Sequence, residues 1–359
     1  MRVAVIGVGL IGGSIGLAAR RAGAEVSGWD PDEAVLARAL ELGALDAGAE
    51  ELSGAVAGAE AVFVAAPVGA LGEAVAGALA AAGPDCVVSD VGSVKRPLAE
   101  ASADERFVGG HPLAGSEGTG VEHSRADLFE GATWYLTPAR TSTAGVLYER
   151  LHALLRSFGA RPAAIDAATH DRLMANISHL PHVLANVLAA QAAGLLASDD
   201  DGVERLPAIG PSFRDAIRVA GANSAIWADI YTSNADALLS ALDELGARLE
   251  AVRGMLAAGD AQALREWTDL ARAERDALLG EAIDGGSVHE LRVQVPNRPG
   301  VIAEIALALG EAGVNIGDLT LSPSRDNSRG VVTLWIGGER QAARAQELVT
   351  GLGFPLVRA

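Results

Sequence analysis

The sequence contains a single cysteine, Cys86, among its 359 residues. One thiol cannot form a disulfide within the chain, and it cannot build a metal site from several thiolates. A chain that does not rely on disulfides is typical of a reducing compartment, so we expect a cytoplasmic protein.

Long uninterrupted apolar runs are also missing. Residues 3–19 are nearly all apolar, but glycines interrupt them, and the stretch is shorter than the ~20 residues that a membrane-spanning helix needs. We therefore expect neither a targeting segment there nor a membrane partner. Aromatic residues make up only 4% of the chain while half of it is hydrophobic, so the core must depend on many small aliphatic contacts.

Positive charge is scarce, and the formal net charge is -18. Such a chain repels the phosphates of nucleic acids and anionic membrane surfaces, which argues against both as partners. If the ligand is an anion, a few specific basic side chains must overcome the general negative field.

Strands and helices alternate through the first part of the chain. Short apolar strands such as "RVAVIG", "EVSGWD", "AVFVAAP" and "CVVSD" are separated by helical segments, and "RFVGGHP" and "ATWYLTP" continue the series. This α/β pattern predicts a Rossmann-type, doubly wound parallel sheet over residues 1–166. Helical periodicity then predicts an all-α domain over residues 167–283. The tail, residues 287–359, has the order βαββαβ.

A glycine-rich turn joins the first strand to the first helix. "GVGLIG" places Gly7, Gly9 and Gly12 in the spacing that lets a backbone approach a pyrophosphate at a helix N-terminus. Asp30 ends the second strand, where a carboxylate accepts from a ribose hydroxyl. A merely tight-packing turn would leave Asp30 unexplained. Two further carboxylates follow it and would repel a 2′-phosphate, so NAD is favoured over NADP.

Polar side chains follow two of the predicted strands, where open α/β sheets bind ligands. "SDVGSVK" offers Ser93, and "GGHPLAGSEGTG" offers His111 and Glu117. For His111 the alternative to function is a loop imidazole bonded to backbone. Ser93 could equally cap a helix, and Glu117 could be a solvated loop carboxylate.

The helical segment "NISHLPHVLANV" carries two histidines around a proline. His179 and His182 are three residues apart and share a helix face, and Pro181 deforms the helix there. A metal site would need further ligands, and no third histidine and no cysteine lies near in sequence, so we expect no metal. Core packing and a substrate pocket remain the two alternatives.

These motifs together resemble the prephenate dehydrogenase family. The resemblance rests on "GVGLIGGSIG", "SDVGSVK", "GGHPLAGSE", "SHLPH", "SFRDAIRVA" and "IWADIY", in order along about 280 residues. The tail "VPNRPGVIAEIALALGEAGVNI" resembles an ACT domain, a small amino-acid-binding regulatory module.

The resemblance implies an oxidoreductase that transfers hydride from C4 of prephenate to NAD and releases CO2, yielding 4-hydroxyphenylpyruvate in tyrosine biosynthesis. His111 matches the catalytic histidine, Ser93 a serine that orients it, and Arg218 the arginine that holds a substrate carboxylate. For Arg214, one helical turn before Arg218, a surface ion pair with Asp215 is the alternative. If an imidazole is the base, kcat/KM should fall on the acid side, near the ordinary imidazole pKa of about 6.5.

The remaining site residues follow from the same matching. His179, His182 and Glu117 are expected beside the substrate. The residues expected at the cofactor are Gly7, Gly9, Leu10, Ile11, Gly12, Asp30, Pro67 and Ser178.

Three other functions compete with this interpretation. Arogenate dehydrogenase makes tyrosine directly, and no residue here excludes arogenate. A general β-hydroxyacid dehydrogenase usually relies on a lysine in its helical domain, and residues 167–283 contain none. A non-catalytic sensor of NAD and amino acids would not need Ser93, His111 and Arg218 together.

The tail suggests a regulatory ligand, and an apolar, Ala- and Leu-rich helical domain of this family type implies a homodimer. A stiff turn before a helix can hold an α-carboxylate at Asn297 and Gly300, and the following strand offers Asn315 and Ile316. We expect an aromatic amino acid, tyrosine above all, to bind there and lower activity. A purely structural dimerisation module is the alternative.

Overall fold

The structure is a computed structural model that describes residues 1–115, 118–138, 145–196, 209–282, 288–296, 298, 301, 304–305, 308–309, 312–314, 316–324 and 328–357. The chain divides into two compact units, residues 1–245 and residues 246–359. The three domain ranges given above stay predictions. No helix in the described ranges is long and apolar enough to cross a membrane.

Five parallel strands form the first sheet, in the order β3-β2-β1-β4-β5. These strands are β1 (Arg2–Ile6), β2 (Glu25–Trp29), β3 (Ala47–Gly48), β4 (Ala61–Val64) and β5 (Val87–Asp90). The helices of this region are α1 (Leu10–Arg21), α2 (Glu33–Glu41), α3 (Leu52–Val56), α4 (Val68–Ala81) and α5 (Arg96–Ala101). The strand order reverses between β1 and β4, so the carboxyl ends of these two strands border the crevice in which such sheets bind ligands.

Both faces of the central strands β1 and β4 are buried, which explains why these two strands are apolar at every position after Arg2. Val3 and Val5 point into one core with Ile15 of α1, and Ala4 and Ile6 point into another with helices α3 and α4. The alternation follows from the two-residue period of a strand.

After β5, within the described part of the chain, the parallel series continues only as an isolated parallel bridge between Val88 and Phe107, which corrects part of the sequence-based expectation. The next three strands, β6 (Val108–Pro112), β7 (Thr133–Pro138) and β8 (Arg161–Ala164), form a sheet of their own. Here β6 pairs antiparallel with β7, and β7 pairs parallel with β8. The reason is the connection: among the described residues between β6 and β7 there is one 3-10 turn, Val121–His123, in place of a crossover helix.

Helices make up the rest of the first unit and begin the second. They are α6 (Gly145–Ser157), α7 (Ala167–Met174), α8 (Leu180–Leu196), α9 (Pro211–Ala216), α10 (Ser224–Ser233), α11 (Ala235–Ala258) and α12 (Ala261–Ala282). A π-helical turn, Ala175–His179, joins α7 to α8 directly before Pro181. This is the form that the predicted deformation takes, since proline has no N–H for a regular helical bond.

The tail contains a three-stranded antiparallel sheet in the order β10-β11-β9. Its strands are β9 (Val288–Pro296), β10 (Ile316–Pro323) and β11 (Arg329–Gly337), and the helix α13 (Glu339–Gly351) covers it. The predicted last strand reduces, among the described residues, to one bridge between Leu356 and Val293.

Candidate active site

The glycine-rich turn has the shape that a dinucleotide requires. Gly7 has a φ of +86°, and a Cβ there would lie 2.6 Å from the Ala65 carbonyl oxygen. A Cβ at Gly12 would lie 1.9 Å from the Gly7 carbonyl oxygen, so α1 can pack this close only without a side chain. Gly9 precedes α1, and a Cβ on it would meet open space. The turn therefore leaves room above the free N–H groups of α1 for phosphates.

Asp30 folds over this turn. Its Oδ2 accepts a hydrogen bond from the Val8 backbone N–H (2.8 Å), and its Oδ1 accepts one from Asp32 N–H (3.0 Å). The carboxylate thus lies beside the glycines, as expected for a ribose ligand, and the residues present fit NAD.

The other residues expected at the cofactor surround this crevice. Leu10 and Ile11 form the first turn of α1 and are half-buried. Pro67 is exposed at the start of α4, just after the carboxyl end of β4. Ser178 is half-buried in the π-helical turn, and its backbone oxygen lies 3.0 Å from His182 Nδ1. Their contact with NAD stays a prediction.

A buried ion pair fixes the ends of β5 and β6 to each other. Lys95 Nζ donates to the Asp90 carboxylate and to the Gly110 carbonyl oxygen (2.7 Å). Asp90 Oδ1 in turn accepts from Gly110 N–H (3.0 Å). Neither charged side chain is exposed to solvent. Since Gly110 precedes His111, this network fixes the backbone that carries the histidine.

His111 is hydrogen-bonded to a second histidine that the sequence analysis missed. Its Nδ1 lies 2.9 Å from His170 Nε2, and His170 Nδ1 lies 2.8 Å from Asp171 Oδ1. Asp171 is anchored by the N–H groups of Lys95 and Arg96, at 2.8 Å each. His170 and Asp171 are both buried. The imidazole of His111 is therefore positioned by a buried relay and is not simply bonded to backbone.

Burial lowers the pKa of His111 well below 6.5, and the facing His170 and Lys95 lower it further. The fall of kcat/KM that the sequence placed near pH 6.5 is therefore expected at a lower pH. His111 is neutral at physiological pH, which is the form that accepts a proton.

His179 and His182 lie on one face, as predicted, and an aromatic side chain joins them. The ring of His182 stacks on Trp227 at 3.5 Å, and that of His179 lies edge-on to the same indole at 6.1 Å. His179 is buried, and its Nδ1 lies 3.2 Å from Asn234 Nδ2. Burial lowers the pKa of His179 to about 4, against the attraction of Asp171.

No hydrogen bond or ion pair joins Ser93, Arg214 or Arg218 to this group within the described residues. Ser93 is half-buried after β5, with no hydrogen bond from its side chain to a described residue. Arg218 is exposed in the turn after α9, and neither it nor Arg214 forms an ion pair within the described ranges. Glu117, Asn297, Gly300 and Asn315 lie outside the described residues. Ile316 is the half-buried first residue of β10.

Five buried residues of the site escaped the sequence analysis. They are Asp90, Lys95, His170, Asp171 and Asn234. One signal was present, because Lys95 is the only lysine in the sequence. The others required knowledge of which helix packs behind His111.

Family models match nearly the whole chain. The model described as prephenate dehydrogenase, nucleotide-binding domain, matches residues 15–163. The prephenate dehydrogenase dimerization domain matches residues 166–270, and the ACT domain matches residues 289–349.

Individual proteins agree with these models. The chain is 31% identical to a prephenate dehydrogenase of Bacillus subtilis over 361 residues, covering 97% of this chain and 95% of that protein. The crystal structure of a prephenate dehydrogenase from A. aeolicus, in complex with hydroxyphenyl propionate and NAD+, matches with a TM-score of 0.70 at 26% identity, over 77% of this chain and 98% of that one. A Synechocystis arogenate dehydrogenase matches with a TM-score of 0.68 at 27% identity, over 77% of this chain and all of the other.

These matches confirm the fold class, the ACT-like tail and the NAD cofactor predicted from the sequence. Two dehydrogenase domain models in order, followed by an alignment along almost the full length of a curated relative, leave one conclusion. The chain belongs to the prephenate dehydrogenase family.

Proposed function

We propose that this chain catalyses the NAD-dependent oxidative decarboxylation of prephenate to 4-hydroxyphenylpyruvate, with His111 as the proton acceptor. The observation that carries the proposal is the neutral imidazole of His111, held at 2.9 Å by His170 at the carboxyl end of the strand series. A sensor of NAD would have no need of a buried relay behind this histidine.

The chain holds its cofactor with the glycine turn and Asp30. When bound, NAD supplies the hydride acceptor. Gly9 and the start of α1 would hold the phosphates, and Asp30 would hold the ribose.

His111 handles the proton of the C4 hydroxyl. As C4 loses hydride, its oxygen gains carbonyl character and the hydroxyl proton passes to His111. The bond from C1 to the carboxylate then breaks, CO2 leaves, and the electron pair enters the ring and reaches the C4 oxygen as phenolate. His111 returns the proton to that oxygen, so the step balances without a metal ion.

Arg218 is proposed to hold a substrate carboxylate. Its guanidinium is exposed and unpaired among the described residues, so it can offer a planar pair of donors. Glu117 and Ser93 are proposed to line the same site on the strength of the family motifs alone.

The test is the absorbance of NADH when the purified protein is given NAD and prephenate. We expect turnover in the wild type and a roughly 10²–10⁴-fold lower kcat in His111→Asn with intact NAD binding. A near-normal kcat in that variant would remove His111 from the reaction.

Arogenate is the second candidate substrate, because the Synechocystis structure with a TM-score of 0.68 is an arogenate dehydrogenase. The same assay with arogenate decides between them. A higher kcat/KM with arogenate than with prephenate would reverse the assignment.

We also propose a homodimer that responds to an aromatic amino acid. The dimerization-domain match supports the first part and the ACT match the second. Tyrosine is the proposed effector, bound around Asn297, Gly300, Asn315 and Ile316. A chain ending near residue 285 should lose tyrosine inhibition that the full chain shows. Equal inhibition of both would place tyrosine at the prephenate site instead.

A further inference from the structure

Asp171 is the centre of a hydrogen-bond network that reaches two histidines of the site. Its carboxylate oxygens each accept a backbone N–H at 2.8 Å, from Lys95 and Arg96. Oδ1 also lies 2.8 Å from His170 Nδ1, so His170 donates there. The backbone oxygen of Asp171 accepts from Asn234 Nδ2 at 2.8 Å. One buried residue thus contacts the partners of both His111 and His179.

The carboxylate determines which nitrogen of His111 carries the hydrogen. A neutral His170 has one N–H, and this N–H is committed to Asp171. Its Nε2 is then an acceptor, so His111 Nδ1 must donate across the 2.9 Å contact. His111 is left with a free lone pair on Nε2. A free imidazole in water favours the other tautomer, so this state is imposed by the protein.

Asn234 determines the opposite state in His179. Because its Nδ2 faces a carbonyl oxygen, the amide orientation is fixed with the nitrogen on that side. The second hydrogen of the same nitrogen is directed at His179 Nδ1, 3.2 Å away. Nδ1 therefore accepts and the ring hydrogen lies on Nε2. This Nε2 is buried and has no hydrogen-bond partner among the described residues, which is the state of a donor that awaits a ligand oxygen.

We propose that Asp171, His170 and Asn234 are positioning residues that hold His111 and His179 in opposite tautomers, one as acceptor and one as donor. The proposal rests on the function proposed above. His111 accepts the hydroxyl proton at Nε2, and His179 donates from Nε2 to an electron-rich oxygen of the substrate. That oxygen is either a carboxylate oxygen or the C4 oxygen as it becomes a carbonyl.

Nuclear magnetic resonance of the full-length protein with 15N-labelled histidine tests both tautomers directly. Long-range 1H–15N correlations at pH 8 distinguish a protonated from an unprotonated ring nitrogen. The signals among the seven histidines are assigned with His111→Gln and His179→Gln. We expect hydrogen on Nδ1 of His111 and on Nε2 of His179. Hydrogen on Nε2 of His111 would overturn the proposal.

Two substitutions of His170 separate orientation from packing. His170→Asn retains a donor toward Asp171 but removes the acceptor for His111, whereas His170→Gln can place its carboxamide oxygen where Nε2 was. We expect His170→Asn to lower kcat roughly 10- to 100-fold with KM changed less than about twofold, within the range that positioned proton transfer contributes. His170→Gln should restore part of kcat. An equal loss in both variants, with correct folding by circular dichroism, would show a merely structural role and refute the proposal.

Asn234→Leu tests the second half, because leucine has a similar size and no donor. A higher KM would identify the partner of His179 as a carboxylate, and a lower kcat would identify the C4 oxygen. Unchanged kcat and KM would refute the role of Asn234. Failure of the proposed function itself is distinguishable, since the wild type would then form no NADH from NAD and prephenate, whereas the magnetic resonance readout of the tautomers does not depend on turnover.

Discussion

Acid should destabilise this protein through its buried histidines, and His179 allows the size of the effect to be worked out. The side chain is 1% exposed, and burial lowers its pKa from 6.5 to about 4. Between pH 6.5 and about 4, His179 is therefore protonated in the unfolded chain and neutral in the folded chain. The stability that depends on neutral His179 is fully present above pH 6.5, and it is lost as the pH falls from 6.5 toward 4.

The fall of the pKa from 6.5 to about 4, at about 1.4 kcal/mol for each pKa unit, corresponds to about 3 kcal/mol in total. By pH 4.5 about 2 kcal/mol of this is lost, a large share of the roughly 5–15 kcal/mol that folded proteins have. The pKa of His111 is also lowered, so it acts in the same direction.

Urea unfolding at pH 7.5 and pH 4.5 measures the loss. Because many carboxylates titrate in the same range, the quantity of interest is the difference between wild type and His179→Gln. We expect the variant to lose about 2 kcal/mol less than the wild type on acidification. His152→Gln, at a partly buried position on α6 against Tyr148, is the control for removing one imidazole. If His179→Gln and wild type lose equal stability, the reasoning about the buried imidazole is refuted.

Three further predictions concern the ligands and the buried charge. Arg218→Ala should raise KM for prephenate roughly 10- to 150-fold with a smaller change in kcat, since a charge-assisted bond is worth about 1.5–3 kcal/mol; an unchanged KM would exclude Arg218 from the site. Asp30→Ser should weaken NAD binding and narrow the preference over NADP, measured by titration of both; a wild type that already prefers NADP would contradict the role of the carboxylate. Lys95→Met should cost about 3–5 kcal/mol in urea unfolding, because it leaves Asp90 as an unpaired buried charge; a loss below 1 kcal/mol would show that the pair contributes little.

Local motifs were predictable from the sequence because short-range chemistry determines them. The turn from β1 to α1 requires glycine at positions 7 and 12, because a Cβ at either position would clash with a backbone carbonyl oxygen. The alternation of strands and helices likewise predicted four strands of the first sheet, β1, β2, β4 and β5, whereas the two-residue strand β3 was missed. The antiparallel pairing of β6 with β7 was not predictable in this way, since an apolar strand reads the same in either direction.

The relay behind His111 shows why the buried part of the site was missed. His170 and Asp171 lie 59 and 60 positions after His111 along the chain, and helix α7 brings them to it only in the folded state. In the sequence, "THDRL" looks like an ordinary polar start of a helix. The lowered pKa of His111 is also a product of this packing, so an ordinary imidazole value was the natural expectation from sequence.

The buried position of Lys95 has a consequence for the reactivity of the whole chain. Of the 28 lysine and arginine residues only this one is a lysine, and its side chain is out of contact with solvent. In the folded state, acylating reagents therefore meet no exposed lysine amine. The slow rate at which Lys95 is acylated would then measure how often the buried Lys95–Asp90 pair becomes exposed to water. Reductive methylation with an isotopic label, carried out on the reversibly unfolded protein, would label Lys95 within the site. No other lysine would carry the label.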